Sequence, residues 1–304
     1  MDNVIESKKN VLISGSSGLI GSALVPLLRD KGYTVFLLKR QQQKDTPYWN
    51  IQQQKIDLNG CPEPDIIIHL AGENISNARW TAKVKEKITK SRIQSTQLMV
   101  DFINQSNKPP ALFICASAIG FYGHQGTKVV NEDSPKGQDF VSHLAEKWEQ
   151  VAQQAQTRVV NLRSGVVLSK NGGALAKMLP AFKVGLGGRV GSGKQIMSWI
   201  DLDDQINAIL FIIKHTTLSG PINLVSPNAV DNKTFSNTLS QFLGRPCILP
   251  MPATLIKLMF GEMGKELLLS STHVEPTKLL QAGFKFESLL LEESLKKQLA
   301  VSTL

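Results

Sequence analysis

The sequence predicts an α/β chain: a doubly wound parallel sheet followed by a smaller, mostly helical C-terminal lobe. The first sign is alternation. Short continuous apolar runs trade places with amphipathic helical stretches through the first half of the chain, as strands covered on both faces by crossover helices do. The second is a glycine turn that joins the first apolar run to the first helix. The third is a change of texture from about residue 232, where helices dominate, punctuated by Pro246, Pro250 and Pro252.

Each element has its own signal. Val11-Leu12-Ile13 is a compact strand. Gly18 to Lys31 places Leu19, Ile20, Leu24, Leu27 and Leu28 on one helical face, and Gly32 stops it. Strands follow at Thr34–Leu38, more weakly at Lys55-Ile56, and at Asp65–Leu70. A long helix runs from about Thr81 to Gln105, then a strand at Leu112–Cys115, a helix near 139–156 and a strand at Val159–Leu162. Residues 171–198 are glycine-rich and read as loop. Asp203–Lys214 is a helix and Ile222–Val225 a strand. The predicted division is a main domain of 1–169 to which 201–225 returns, and a lobe made of 170–200 and 226–304.

Composition narrows the function classes. With 42% hydrophobic and 19% charged residues in 304, the chain is not a disordered or solvating one. The formal charge is +9, but the densest cationic run, Lys83, Lys85, Lys87, Lys90 and Arg92, falls largely at helical spacing and reads as a solvated helix face. No nucleic-acid partner is expected. The cysteines Cys61, Cys115 and Cys247 are scattered without a C-x-x-C pair, so neither a metal site nor a disulfide framework is expected. Residues 1–10 lack the apolar core of a secretory signal. The apolar stretch Ala208–Ile213 falls far short of the roughly twenty residues a membrane span needs. A cytoplasmic protein without a membrane partner is the expectation, with a homodimer left open.

The turn Gly15-Ser16-Ser17-Gly18-Leu19-Ile20-Gly21 carries the chemistry. Set between a buried strand and a helix start, such a turn aims backbone N–H groups and the positive end of the helix dipole at a diphosphate. Gly15 permits the tight bend, Gly18 close approach of the anion, and Gly21 contact between helix and strand.

The G-x-x-G-x-x-G spacing resembles the extended short-chain dehydrogenase/reductase family of nucleotide-sugar epimerases and dehydratases, built on a Rossmann fold. Leu70-Ala71-Gly72, Phe121-Tyr122-Gly123 and Asp203-Asp204 resemble further segments of that family. A narrower likeness lies in Gly72-Glu73-Asn74-Ile75, Arg79-Trp80, Ser91-Arg92, Arg163–Leu168 and Gly185–Gly193. In this order they resemble the atypical YfcH-like branch, called the "epimerase family" or SulA-like, with its C-terminal domain of unknown function. The resemblance implies a nicotinamide cofactor touched by Leu70, Ala71, Gly72, Ala116 and Val167, with Asp57 and Leu58 at the adenine and Arg92 reaching in from the basic helix.

The strand Thr34–Leu38 runs into Lys39-Arg40 rather than the carboxylate that would hold an unphosphorylated ribose. NADP(H) is therefore expected over NAD(H), with Arg40 on the 2′-phosphate and Lys39 beside it.

The family's proton relay is degraded. Its Tyr-x-x-x-Lys falls on His143 and Lys147, and its oxygen-binding Ser on Ala118, one residue after Ser117. Ser117, Tyr122, His143 and Lys147 are the catalytic candidates. Lys147 keeps the ribose contact, and His143 is a possible substitute acid because an unperturbed imidazole titrates near 6.5. The Gly185–Gly193 loop, with Arg189 and Lys194, is a candidate clasp for a small anionic substrate. Two functions follow: an NADP(H)-dependent oxidoreductase or epimerase, or a catalytically degenerate NADP(H)-binding regulatory or redox-sensing protein.

Overall fold

A computed structural model describes residues 8–300. Residues 1–7, part of the segment read above for a secretory signal, and 301–304 lie outside the described residues. Six strands form a parallel sheet: β1 (Asn10–Ser14), β2 (Thr34–Leu38), β3 (Ile66–His69), β4 (Leu112–Ala118), β5 (Arg158–Ser164) and β6 (Gly220–Leu224). Their spatial order is β6-β5-β4-β3-β1-β2. The chain reverses its winding between β1 and β3, and ligands of such sheets bind in the crevice at that switch point. β6 is an outer strand, and its Pro221 lies opposite Asn161 of β5.

The helices are α1 (Leu19–Asp30), α2 (Ala82–Gln105), α3 (Phe140–Ala152), α4 (Gly173–Lys183), α5 (Leu202–Lys214), α6 (Asn232–Phe242), α7 (Ala253–Leu267), α8 (Thr277–Gln281) and α9 (Leu291–Leu299). On one face of the sheet α1 and α5 bury Leu24, Leu28, Ile209 and Ile212 against Val11, Ile13, Ile68 and Ile114. On the other, α2 and α3 bury Met99, Ile103 and Trp148 against Leu12, Ile67 and Phe113. Each such side chain contributes about 1.5–3 kcal/mol of apolar burial. The stretch Ala208–Ile213 lies inside α5, and among the described residues no helix is long and apolar enough to cross a membrane.

Two expectations need correction. Lys55–Asp57 does not join the main sheet; it pairs antiparallel with Tyr48–Asn50 as a hairpin beyond the end of β2. Residues 171–198 are not all loop, because α4 occupies Gly173–Lys183. Leu175, Leu179 and Phe182 recur at helical spacing and are buried against Trp199 and Phe235. The glycines on both sides and Pro180 within hid that period.

The lobe is stitched to the sheet by carboxylates. Asp204 on α5 accepts from the amides of Glu287 (2.7 Å) and Ser288 (2.9 Å). Asp201, which caps α5, also accepts from Ser294 Oγ and Gln298 Nε2 on α9. Glu266 on α7 reaches across to the first amides of α3, at Phe140 (3.4 Å) and Val141 (3.2 Å).

Candidate functional site

The glycine turn sits at the switch point. Gly15 has φ +74°, and a Cβ there would lie 2.7 Å from the Ala71 nitrogen, so the turn is seated directly on the loop after β3. At Gly21 a Cβ would collide with the Gly15 carbonyl. The amide of Gly18 is used internally, donating to Gly15 O at 3.0 Å. No side chain caps α1, so the next amides, from Leu19 and Ile20, have no intrahelical acceptor. Ser17 and Gly18 are exposed. This is a cradle lined with unused donors, and it fits an anion.

Around it lie most of the expected cofactor contacts. Arg40 is exposed and makes no ion pair or hydrogen bond among the described residues. Lys39 is half-buried, its backbone bonded to Pro47 and Trp49 of the hairpin. Asp57 is already engaged: it accepts from the Asn59 amide (2.8 Å) and pairs with Lys55 (3.1 Å). Those partners, with the Asn59 amide foremost, hold its carboxyl below the usual range. Leu58, Ala71 and Ala116 pack at the edge of the α2/α3 core, and Leu70 and Val167 at that of the opposite face. Arg92 lies 3.6 Å from the Cβ position of Gly72 and over the Trp148 ring at 5.1 Å. It donates to Ile88 O (3.2 Å), which leaves most of its fork free. Burial pulls its pKa down to about 10, against the upward pull of Glu73.

The catalytic candidates separate into two groups. Strand alternation turns Ser117 inward and Ala118 outward, leaving Ala118 exposed. Ser117 Oγ donates to Glu149 Oε1 at 2.6 Å. Glu149 also accepts from Arg163 Nε and Nη2, both at 2.8 Å. Arg163 donates to Tyr122 Oη (2.9 Å), which donates to Asn223 Oδ1 (2.7 Å). Burial pushes the Tyr122 phenol up to about 12, against the pull of Arg163. The network continues to Glu132, whose Oε1 accepts from the Asn223 and Lys278 amides. Arg163 also stacks 3.5 Å from the Phe121 centroid. Ser117, Tyr122 and Arg163 are thus buried together and closed off by their own partners.

His143 and Lys147 lie on the exposed face of α3. Lys147 has no partner among the described residues. His143 Nδ1 is 2.8 Å from Lys136 Nζ, and Lys136 pairs with Glu146 at 2.9 Å. An ammonium only donates, so Nδ1 accepts and Nε2 carries the proton. Lys136 also lines a cleft of about 1170 Å³ between the main sheet and the lobe, with Asp139, Ser192, Lys194, Lys257 and Glu266. His124 borders the same cleft and accepts from the Ser271 amide at 3.0 Å.

His69, expected to be a satisfied core residue, is one. Ser95 Oγ donates to Ser91 O (2.7 Å), so it accepts from His69 Nε2 (3.0 Å) while Ser14 Oγ donates to Nδ1 (2.7 Å). Burial lowers its pKa to about 3. Sequence reasoning missed Glu149, Asn223, Glu266 and Lys136. Only Glu149 carried a usable signal: a carboxylate on the apolar face of α3, beside Trp148 and Ala152, requires a buried cation.

The chain is similar to known proteins over most of its length. Residues 11–224 match the family described as "NAD dependent epimerase/dehydratase family", and residues 251–298 match a domain of unknown function, DUF1731. An epimerase family protein of Mycobacterium bovis is 39% identical over 94% of this chain and 96% of its own length. The crystal structure of human epimerase family protein SDR39U1 (isoform 2) with NADPH superposes with TM-score 0.89 at 33% identity, covering 95% of this chain and 98% of that one. A nucleoside-diphosphate sugar epimerase from Corynebacterium glutamicum gives TM-score 0.77 at 30% identity, covering 96% of this chain and 58% of that one.

Proposed function

We propose, from the premise that this chain belongs to the NAD dependent epimerase/dehydratase family, that it is an NADP(H)-binding oxidoreductase or epimerase of the atypical branch, acting in the cytoplasm on a small anionic substrate. One observation carries the cofactor preference: Arg40 stands exposed and unpartnered among the described residues, just beyond the end of β2, where a carboxylate would select the unphosphorylated ribose. The human relative crystallised with NADPH supports it.

In this reading the amides of the Gly15–Gly21 turn, including Ser16, Ser17, Leu19 and Ile20, hold the diphosphate. Arg40 and Lys39 hold the 2′-phosphate. Asp57 and Leu58 border the adenine, and Leu70, Ala71, Gly72, Ala116 and Val167 wall the groove. Arg92 offers its free N–H groups to the cofactor's oxygens. The nicotinamide, when bound, supplies or accepts a hydride. Lys147 hydrogen-bonds the adjoining ribose, and His143 delivers a proton from Nε2 as Nδ1 takes one from the Lys136 ammonium, the reverse transfers serving the opposite direction. Ser117 and Tyr122 act as positioning residues through Glu149 and Arg163. The lobe of 170–200 and 226–304 closes the substrate cleft against the domain of 1–169 and 201–225, where Lys136, Lys194, Lys257 and Lys265 outnumber Asp139, Glu262 and Glu266 and favour an anion.

Calorimetric titration with both cofactors tests this. NADPH should bind more tightly than NADH, and Arg40→Ala should weaken NADPH about 10–100-fold while leaving NADH unchanged. Equal or tighter NADH binding by the parent protein would overturn it.

A second reading has its own support: Ala118 is exposed where the family places its oxygen-binding Ser, and Tyr122 is buried. A regulatory protein that binds NADP(H) without turnover would account for both. Lys147→Ala separates the two, since it should abolish turnover in an enzyme and cost a sensor only some affinity.

A further inference from the structure

The lobe carries an apolar surface that neither the cofactor turn nor the cleft explains. Val184 and Leu186 follow α4, Ile248 lies in the segment before α7, and Leu258 lies on α7; they are 68%, 60%, 70% and 73% exposed. The pieces are contiguous. Gly191 N donates to Met251 O at 2.8 Å and Met251 N to Arg189 O at 2.9 Å, and a Cβ at Gly185 would lie 3.6 Å from Pro246. Leu255, Leu258 and Met259 share one face of α7, while Ile256 is buried on the other.

The charge along these segments is positive, and Glu262, one turn beyond Leu258, is tied to Lys85. Segments 183–191 and 245–259 contain Lys183, Arg189, Arg245 and Lys257 and neither Asp nor Glu. None of the four side chains has a partner among the described residues. That pattern decides between occupants. A second copy joined by a two-fold axis would set these cations against each other with no unpaired acid on the patch to meet them. A protein segment would need a groove, and the hollow found there is small, about 230 Å³, lined by Arg189, Lys233, Asn237, Cys247, Ile248 and Pro250. Projecting aliphatic side chains among unpaired cations match the acyl-chain and headgroup layers of an anionic bilayer.

We propose that this face of the lobe docks reversibly on an anionic phospholipid surface, with Ile248, Leu258 and their neighbours entering the interface and Lys183, Arg189 and Arg245 resting on the headgroups. Such docking needs no membrane-spanning helix. It is independent of the cofactor reading, since none of the projecting side chains belongs to the cofactor site.

The test is vesicle flotation of the full-length protein with phosphatidylglycerol/phosphatidylcholine vesicles and with phosphatidylcholine alone. Binding is expected to the anionic vesicles only, and to fall as salt rises. The double variant Ile248→Asp/Leu258→Asp should lose it with an unchanged thermal midpoint. Lys183→Gln/Arg245→Gln should weaken it roughly thirtyfold, at about one charge's contribution each. Failure to float with anionic vesicles at low salt overturns the proposal, as does binding that the double variant leaves intact. A solution dimer that the double variant dissolves, without vesicle binding, would assign the face to a second copy and equally overturn it.

Discussion

Replacing Glu149 by Gln probes the buried network on α3. The carboxylate accepts from Arg163 Nε and Nη2 and from Ser117 Oγ, and the Arg163 side chain is only 4% exposed. Gln keeps one oxygen, which can still serve Ser117 and Arg163 Nε. Its amide nitrogen then faces Nη2, donor against donor, at a separation of 2.8 Å in the parent. A charge-assisted bond worth about 1.5–3 kcal/mol is lost, and the guanidinium stays buried without its counter-charge. Breaking such a pair from one side costs about 3–5 kcal/mol. Tyr122, the Glu132 carbonyl and the Phe121 ring still hold Arg163, which places the expected loss near 3 kcal/mol. Urea unfolding followed by circular dichroism measures it. Arg163→Met added to Glu149→Leu removes both charges, and the pair should cost less than the sum of its single variants by about 1–3 kcal/mol. A loss below about 1 kcal/mol for Glu149→Gln, or strict additivity in the cycle, would refute the description of this network as a closed ion pair.

Other outcomes are expected. Gly15→Ala must adopt a left-handed backbone and press a methyl against backbone atoms of residues 70 and 71. It should lower stability by about 2–4 kcal/mol and weaken dinucleotide binding, both read by unfolding with and without NADPH. Glu266 has its pKa raised, chiefly by burial. The folded state therefore holds that proton more tightly than the unfolded chain, and stability should fall as pH rises from 4.5 through the raised value. Glu266→Gln should flatten that slope in unfolding curves taken at several pH values. His143→Gln should reduce any turnover about 10²–10⁴-fold without changing the NADPH dissociation constant; an unchanged rate would remove His143 from the proton path.

The parts of the site made by neighbours in sequence were legible. The strand, turn and helix from Val11 to Lys31 write their geometry in one stretch, and Lys39-Arg40 follow their strand directly. The pattern starts a long helix at Thr81, and Thr81 is its cap, its side chain accepting from Val84. What could not be read was made by residues far apart. Tyr122 meets Asn223 across 101 positions, and Glu266 reaches Val141 across 125. Ser117 shows a subtler failure: its spacing came within one residue of the family's position, but in a strand one residue is the opposite face. In α4 the helical face was present in Leu175, Leu179 and Phe182, but the glycines before it and Pro180 spoke louder locally.

Pro221, in the outermost strand of the sheet, bears on how crowded copies of this protein treat one another. An imino acid has no amide hydrogen to lend, so an extended segment from a neighbour cannot zip along that rim without a gap in its ladder. That one border of the sheet is thereby made a poor template for fibre growth.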